Sequence, residues 1–444
     1  MPLLCDLPDE ILLDVIRCLQ AIRSFKTQSV AFRRKETEKG RQYENHARQR
    51  TLYALCLTSH RLRYLSLPTL YASSITCATR SGLRQLQLLH RTIGSPNNAL
   101  GQTKHLAEYV RYVENRLADY QGNSLQDDEV FQQESVSAYF QLLGNLVLCA
   151  PNIEHLCVVS LEHNDVSFWI HVLGTSLHPI RHGPAKLEHL STQIHTYAWS
   201  SVPGVSIFER ILQHVQFLPM LSELRVSGAT TERDYDVAFH AGEVANLRRL
   251  DLTESNLEIV EVADLLLACK NLRHFTCKWA FLNNALVGPS ILHTALLARA
   301  DTLETLSLDW REVRHSHLIQ SQSKLLGSLR SLRHLRSLEI CEVGFLSNDL
   351  SLLDFPDQTL EYALSELLPE SLEEMTLLTS GDINSHGDDI LDNALCLWQF
   401  TVNRRTLMPH LKTVCIKAGH QIFTPGLVNA FGKAGVRLYT EIEM

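Results

Sequence analysis

Histidine is the residue type in this chain best suited to chemistry, and there are 21 of them. An imidazole can carry a proton near neutral pH or hold a metal, so what matters is which ones stand together. In HPIRH, His178 and His182 are four apart, a spacing that suits two ligands on one helix face. Pro179 and the following HGP predict a loop instead, and no cysteine or carboxylate stands close by to complete a site. No metal and no cofactor are expected. The eleven cysteines contain no CxxC, and the closest pairs, Cys149 with Cys157 and Cys269 with Cys277, are eight apart. That pattern predicts reduced, mostly buried thiols in a cytoplasmic or nuclear protein. GxSxG, HExxH and GxxxxGK[ST] are absent, so no catalytic residue can be named and the chain reads as a non-enzyme.

Composition narrows the partners. The 444 residues are 45% hydrophobic and 20% charged, with a formal net charge of −8, which gives no global attraction to nucleic acid. No apolar run reaches the roughly 20 residues of a membrane span. Asp6, Asp9 and Glu10 stand where a secretory leader would be greasy. No small-molecule substrate is suggested.

The elements that would position a binding surface come from a recurring phrase. NIEHLCV, KLEHLST, MLSELRV, NLRRLDL, NLRHFTC, TLETLSL, HLRSLEI, SLEEMTL and HLKTVCI all fit apolar-x-x-apolar-x-apolar, with Thr192 the one weak fit. Their first apolar residues are Ile153, Leu187, Leu221, Leu247, Leu272, Leu303, Leu335, Leu372 and Leu411, spaced by 25 to 39 residues. The last two apolar positions are two apart and point to one side of a short strand. Helical patterns precede most phrases (ERILQHVQFL, VADLLLACK, SILHTALLAR, LEYALSELL, ALCLWQF), and Pro151, Pro219, Pro369 and Pro409 stand at the helix-to-strand switch. Tandem helix–strand units bury their apolar faces by stacking on one another.

This pattern resembles the leucine-rich repeat family in its longer, irregular form, over about residues 104–444. The resemblance implies an α/β solenoid with a parallel sheet on the concave side and helices on the convex side. VRYVENR at 110–116 would be a divergent first strand and GVRLYTEI the last. The asparagine that usually follows the strand is mostly missing, Asn256 excepted. Nothing like GxGxxG follows a strand, which argues against a Rossmann-like sheet.

The N-terminal stretch LPDEILLDVIRCL sets Asp9 and Glu10 in a first helical turn, with Ile11, Val15 and Cys18 on one row and Leu12, Ile16 and Leu19 on the next. Residues 52–75 follow with a Ser59 cap ahead of HRLRYL. Leu7, Pro8, Glu10, Ile11, Leu12, Ser59, Leu62, Arg63, Pro68, Leu70 and Tyr71 resemble the F-box, which begins Leu-Pro-x-Glu-Ile-Leu and ends near Pro-x-Leu-Tyr. The resemblance implies an F-box at 1–75 and repeats at 76–444. It further implies docking on a Skp-type adaptor, and through it a cullin, by Leu7, Pro8, Ile11, Leu12, Ile16, Leu19, Leu55, Pro68, Leu70 and Tyr71. The implied function is that of the substrate-recognition subunit of an SCF-type ubiquitin ligase. Two alternatives stay open: a scaffold that binds its adaptor outside any ligase, and a repeat-type regulator of a GTPase or nuclease whose N-terminal helices are a cap.

Residues 20–50 depart from the F-box pattern. With nine Lys/Arg against three glutamates they read as an exposed insertion, partly helical or disordered, and Arg33, Arg34 and Lys35 could serve nuclear import. The target would lie on the concave face, where His155, His189, Arg225, Arg249, Asp251, His274 and Glu339 point outward. His155, His189 and His274 share a register that could answer to pH. Trp279 and Trp310 recur at one register and are either interface anchors or core filler. The acidic stretch 119–135 reads as a solvated loop.

Overall fold

The computed structural model describes residues 7–24, 35–94, 105–116, 132–161, 166–175, 178–179, 184–195, 207–215, 217–231, 244, 246–282, 288–313, 325–341, 345, 367–379, 401, 408–418 and 425–442. Arg33, Arg34, Asp127, Asp128, Glu129, His182 and the helical pattern ALCLWQF lie outside the described residues. The chain divides into two units, Met1–Ser227 and Gly228–Met444.

The first unit opens with three helices, α1 (Asp9–Arg17), α2 (Lys35–Thr58) and α3 (His60–Ala72). Asp9 and Glu10 occupy the first turn of α1, where the helix dipole favours negative charge, and Ser59 caps α3 by accepting from the Leu62 N–H at 3.1 Å. Then follow β1 (Ser73–Cys77), α4 (Arg80–Gly94), a 3-10 turn at Leu106–Tyr109, β2 (Tyr112–Arg116), α5 (Gln132–Cys149), β3 (His155–Leu161) and α6 (Val166–Leu173). A small hairpin of β4 (Gly174–Thr175) and β5 (His178–Pro179) precedes β6 (His189–His195), α7 (Ile207–Val215) and β7 (Glu223–Ser227). Strands β1, β2, β3, β6 and β7 lie side by side in that order, all parallel.

The second unit contains β8 (Arg249–Ser255), α8 (Ile259–Ala268), β9 (His274–Trp279), α9 (Ser290–Leu297), β10 (Thr305–Asp309), β11 (Ser337–Cys341), β12 (Glu374–Leu378), β13 (Thr413–Ala418), α10 (Pro425–Lys433) and β14 (Arg437–Ile442). Its seven strands are parallel neighbours in chain order.

The recurring phrase sets the register in both units. Leu156, Leu190 and Leu224 stand opposite one another, as do Leu250, Phe275, Leu306, Leu338, Met375, Val414 and Leu438. All nine leading apolar residues, from Ile153 to Leu411, are buried. Within each unit, a common register of the parallel strands keeps the apolar set on one face, because a slip of one residue would turn it outward. The helices serve that face: the Thr76 hydroxyl of β1 meets the Tyr139 hydroxyl of α5 at 2.7 Å. Gly82 lets α4 start against β1, since a Cβ there would stand 1.9 Å from the Cys77 carbonyl oxygen.

Two features differ from expectation. The sheet begins one strand earlier than 110–116, at Ser73–Cys77, directly after α3. SSITC escapes the phrase because its buried residues are Ser74 and Thr76. Between β2 and β3 backbone pairing ends at Glu114 and Cys157, and the Asn115 side chain continues it. Its amide donates to the Val159 carbonyl at 3.1 Å and its oxygen accepts from the Val159 N–H at 2.9 Å.

Thr192, the weak fit, is buried on the apolar face, and its hydroxyl has no hydrogen-bond partner among the described residues. Thr192→Val should therefore stabilise the protein by about 1 kcal/mol, read as a higher midpoint in chemical denaturation. Among the described residues no helix is long and apolar enough to cross a membrane.

Candidate binding surfaces

The helical surface is built from one amphipathic helix used on two sides. Leu12 and Ile16, at 1% and 2% exposure, form a core with Leu52, Leu62 and Leu65. Leu7, Leu13, Leu19, Leu55 and Leu70 pack around its margin, half-buried. On the adjoining row Ile11 and Val15 are 48% and 46% exposed. They are four residues apart, hence on one face. Arg61 fixes the start of α1 by donating to the Leu7 carbonyl and to Asp9. Pro8 is exposed, and Pro68 and Tyr71 are half-buried.

This corrects two docking residues read from the sequence: Leu12 and Ile16 hold the three helices together and are not available to a partner. Val15, Leu57 and Tyr64 are exposed apolar residues the sequence reading left out of the docking set. For Val15 the signal was present, one turn beyond Ile11.

The insertion is helical over 35–50, as one of its two expected forms, and mostly exposed; one buried row departs from the expectation. Residues 35–50 belong to α2, and Arg41 and Asn45 are buried. The Arg41 guanidinium pairs with Glu38 on its own helix and with Glu114 on β2, and donates to the Ile22 carbonyl at 2.7 Å. Glu114 is fully buried; it also accepts from the Tyr112 hydroxyl and from Arg116 Nε. Burial alone would raise its pKa, but Arg116 and Arg41 reverse the sign and hold the carboxyl below the usual glutamate range. Burial and the neighbouring Glu114 push the Tyr112 phenol well up.

On the polar sheet face of the first unit, the His155 and His189 rings stack at 4.3 Å with planes 17° apart, and Glu223 Oε2 lies 3.1 Å from His189 Nδ1. Arg225 donates to Glu223 at 3.3 Å. His155 is buried, whereas His189, Glu223 and Arg225 are half-exposed. His274, expected in the same column, lies in the second unit and hydrogen-bonds Thr305 at 3.1 Å.

The polar face of the second unit is neutralised from within. Arg249 pairs with Asp251 at 2.8 Å. Glu339 on β11 sits between Lys278 of β9, at 3.2 Å, and Lys417 of β13, at 2.8 Å, and accepts from the Ser307 hydroxyl at 2.8 Å. Burial would raise the Glu339 carboxyl, yet the two ammonium groups and Ser307 outweigh it and hold the pKa at about 2. Trp279 and Trp310 are core filler, each 2% exposed, with Trp279 Nε1 donating to the Leu257 carbonyl at 3.0 Å. Strand parity foretells this, because each continues the inward alternation of its strand.

No family model and no curated protein matches this chain. Among the described residues no group of three or more His, Cys, Asp or Glu side chains could hold a metal.

The Glu339 pairing carries a pH-dependent prediction. A carboxyl whose folded pKa is about 2, against an ordinary 4.5, adds stability that is complete above pH 4.5 and lost as pH falls toward 2. Glu339→Gln should cost on the order of 2 kcal/mol at pH 7, after discounting for the partly open lysines. That cost should shrink as denaturation is repeated at successively lower pH from 4.5 downward.

Proposed function

We propose that this chain is a substrate-recognition subunit of an SCF-type ubiquitin ligase: an N-terminal F-box joined to an irregular leucine-rich-repeat solenoid. The observation that carries the reading is the double use of α1. Leu12 and Ile16 consume one row in the helical core, and Ile11 and Val15 are left exposed beside it. Exposed apolar residues one turn apart are what a partner groove would take up. Together with the Leu-Pro-x-Glu-Ile-Leu match, they support docking of α1 on a Skp-type adaptor. The register-locked strands then offer a polar face of mixed sign, suited to hydrogen bonding with a protein target rather than to nucleic acid.

Such a subunit does no bond chemistry. It raises the target's effective concentration beside the ligase's ubiquitin-loaded enzyme, making a bimolecular encounter nearly intramolecular. It would act in the cytoplasm or nucleus. Affinity purification of the full chain with mass spectrometry tests this: adaptor together with cullin is the expected result. Adaptor without cullin would move the chain to the scaffold reading.

One observation favours a second reading. Helix α3 ends at Ala72 and β1 begins at Ser73, so the helical part runs into the sheet as an end cap would. A regulator of a GTPase or nuclease, with α1–α3 as cap, would purify with neither adaptor nor cullin.

A further inference from the structure

Described parts of the segment that interrupts the F-box pattern lie on the polar face, where a partner would be sought. By register Tyr112, Glu114 and Arg116 of β2 share the face of His155 and Cys157 of β3. Residues 22–24 and α2 meet that face at several points. The Ser24 N–H donates to the Tyr112 hydroxyl oxygen at 2.9 Å, and the Ser24 hydroxyl to Cys157 Sγ at 3.3 Å. The Arg23 guanidinium stands 5.6 Å from the Tyr112 ring centroid. Asn45 holds both backbone groups of Ile22, accepting at 2.7 Å and donating at 3.0 Å. Over β1 this packing stops short, and a partly open cleft of about 300 Å³ lies between α2 and Ser73, Ile75 and Cys77.

We propose that residues 22–24 and the Glu38–Asn45 stretch of α2 are a built-in occupant of the polar face over β2 and β3, clamping the docking helices to the sheet beside β6 and β7. The clamp is a buried ion cluster, Arg41 with Glu38 and Glu114, and not a surface association that salt would loosen. Buried charges of this kind stay put, because separating either partner strands the other in a dry site. The partly exposed His189, Glu223 and Arg225 on β6 and β7 are then what a target would reach in the first unit. Only this last step rests on the function proposed above; the occupancy does not.

The test is Ser24→Cys in the full chain, oxidised with diamide, which accepts the two electrons and two protons of the new disulfide. The native Ser24–Cys157 contact predicts that the introduced thiol is cross-linked to Cys157 in most molecules, as found by peptide mass spectrometry, with adaptor capture unchanged. Independent alkylation of both thiols in the folded protein, without cross-link, overturns the occupancy. Glu114→Gln supplies a second measurement without a new cysteine. Native-state alkylation at Cys157 should speed up by about tenfold as the clamp opens locally, while buried Cys269 in the second unit is unaffected. An unchanged rate at Cys157 would overturn the clamp. Failure of the wild-type chain to capture the adaptor bears on the function alone and leaves both readouts intact.

Discussion

Replacing Ile11 and Val15 together by aspartate should abolish capture of a Skp-type adaptor and leave the thermal midpoint within a degree or two of wild type. Both side chains are about half exposed, so the folded monomer loses little when they become polar. In a complex they would be the desolvated centre, where each truncation costs about 2 kcal/mol or more, and aspartate adds the burden of a buried charge. The comparison that gives this its force is Leu12→Ala, one residue away. Leu12 is 1% exposed in the helical core, so that change should cost about 2–5 kcal/mol of stability. Titration calorimetry and thermal melts on the same samples separate the two outcomes. Equal loss of stability in both variants would mean that α1 has only one working face.

The second large effect concerns the clamp. Arg41→Met should destabilise the protein by about 3–5 kcal/mol, because it leaves Glu114 buried with half its positive partners gone. Glu114→Gln should be costly for the converse reason, with Arg41 and Arg116 then facing each other. The two should be strongly non-additive: in denaturant titrations a double-mutant cycle should return a coupling above about 1 kcal/mol. Additive losses would show that the side chains are near each other without depending on each other. Since the folded Glu114 carboxyl lies below its ordinary range, its contribution is present at neutral pH and fades on acidification.

The repeats were legible because their signal is local. Three apolar residues within six positions decide a strand and its inward face, and nine such phrases decide a stack. The first strand was not legible, since small polar residues, Ser74 and Thr76, fill its inward positions. The buried row within the insertion was missed for a related reason. The buried row of α2 includes Arg41 and Asn45 ahead of Leu52, and a search for apolar periodicity sees only charge and amide there. What satisfies Arg41 there is Glu114, 73 residues further along, and what satisfies Asn45 is the Ile22 backbone, 23 residues back; sequence distance hides both pairings. For the docking residues, composition gave the helix but not its division of labour. Which of two adjacent apolar rows turns inward depends on where α2 and α3 pack.

The most direct measurement is equilibrium binding of the full chain to a purified Skp-type adaptor, followed across a range of salt. An apolar α1 surface predicts a one-to-one complex with a dissociation constant of roughly 1 μM or tighter, little changed between low and high salt. Absence of a complex, or one that dissolves as salt is raised, would contradict docking through Ile11 and Val15.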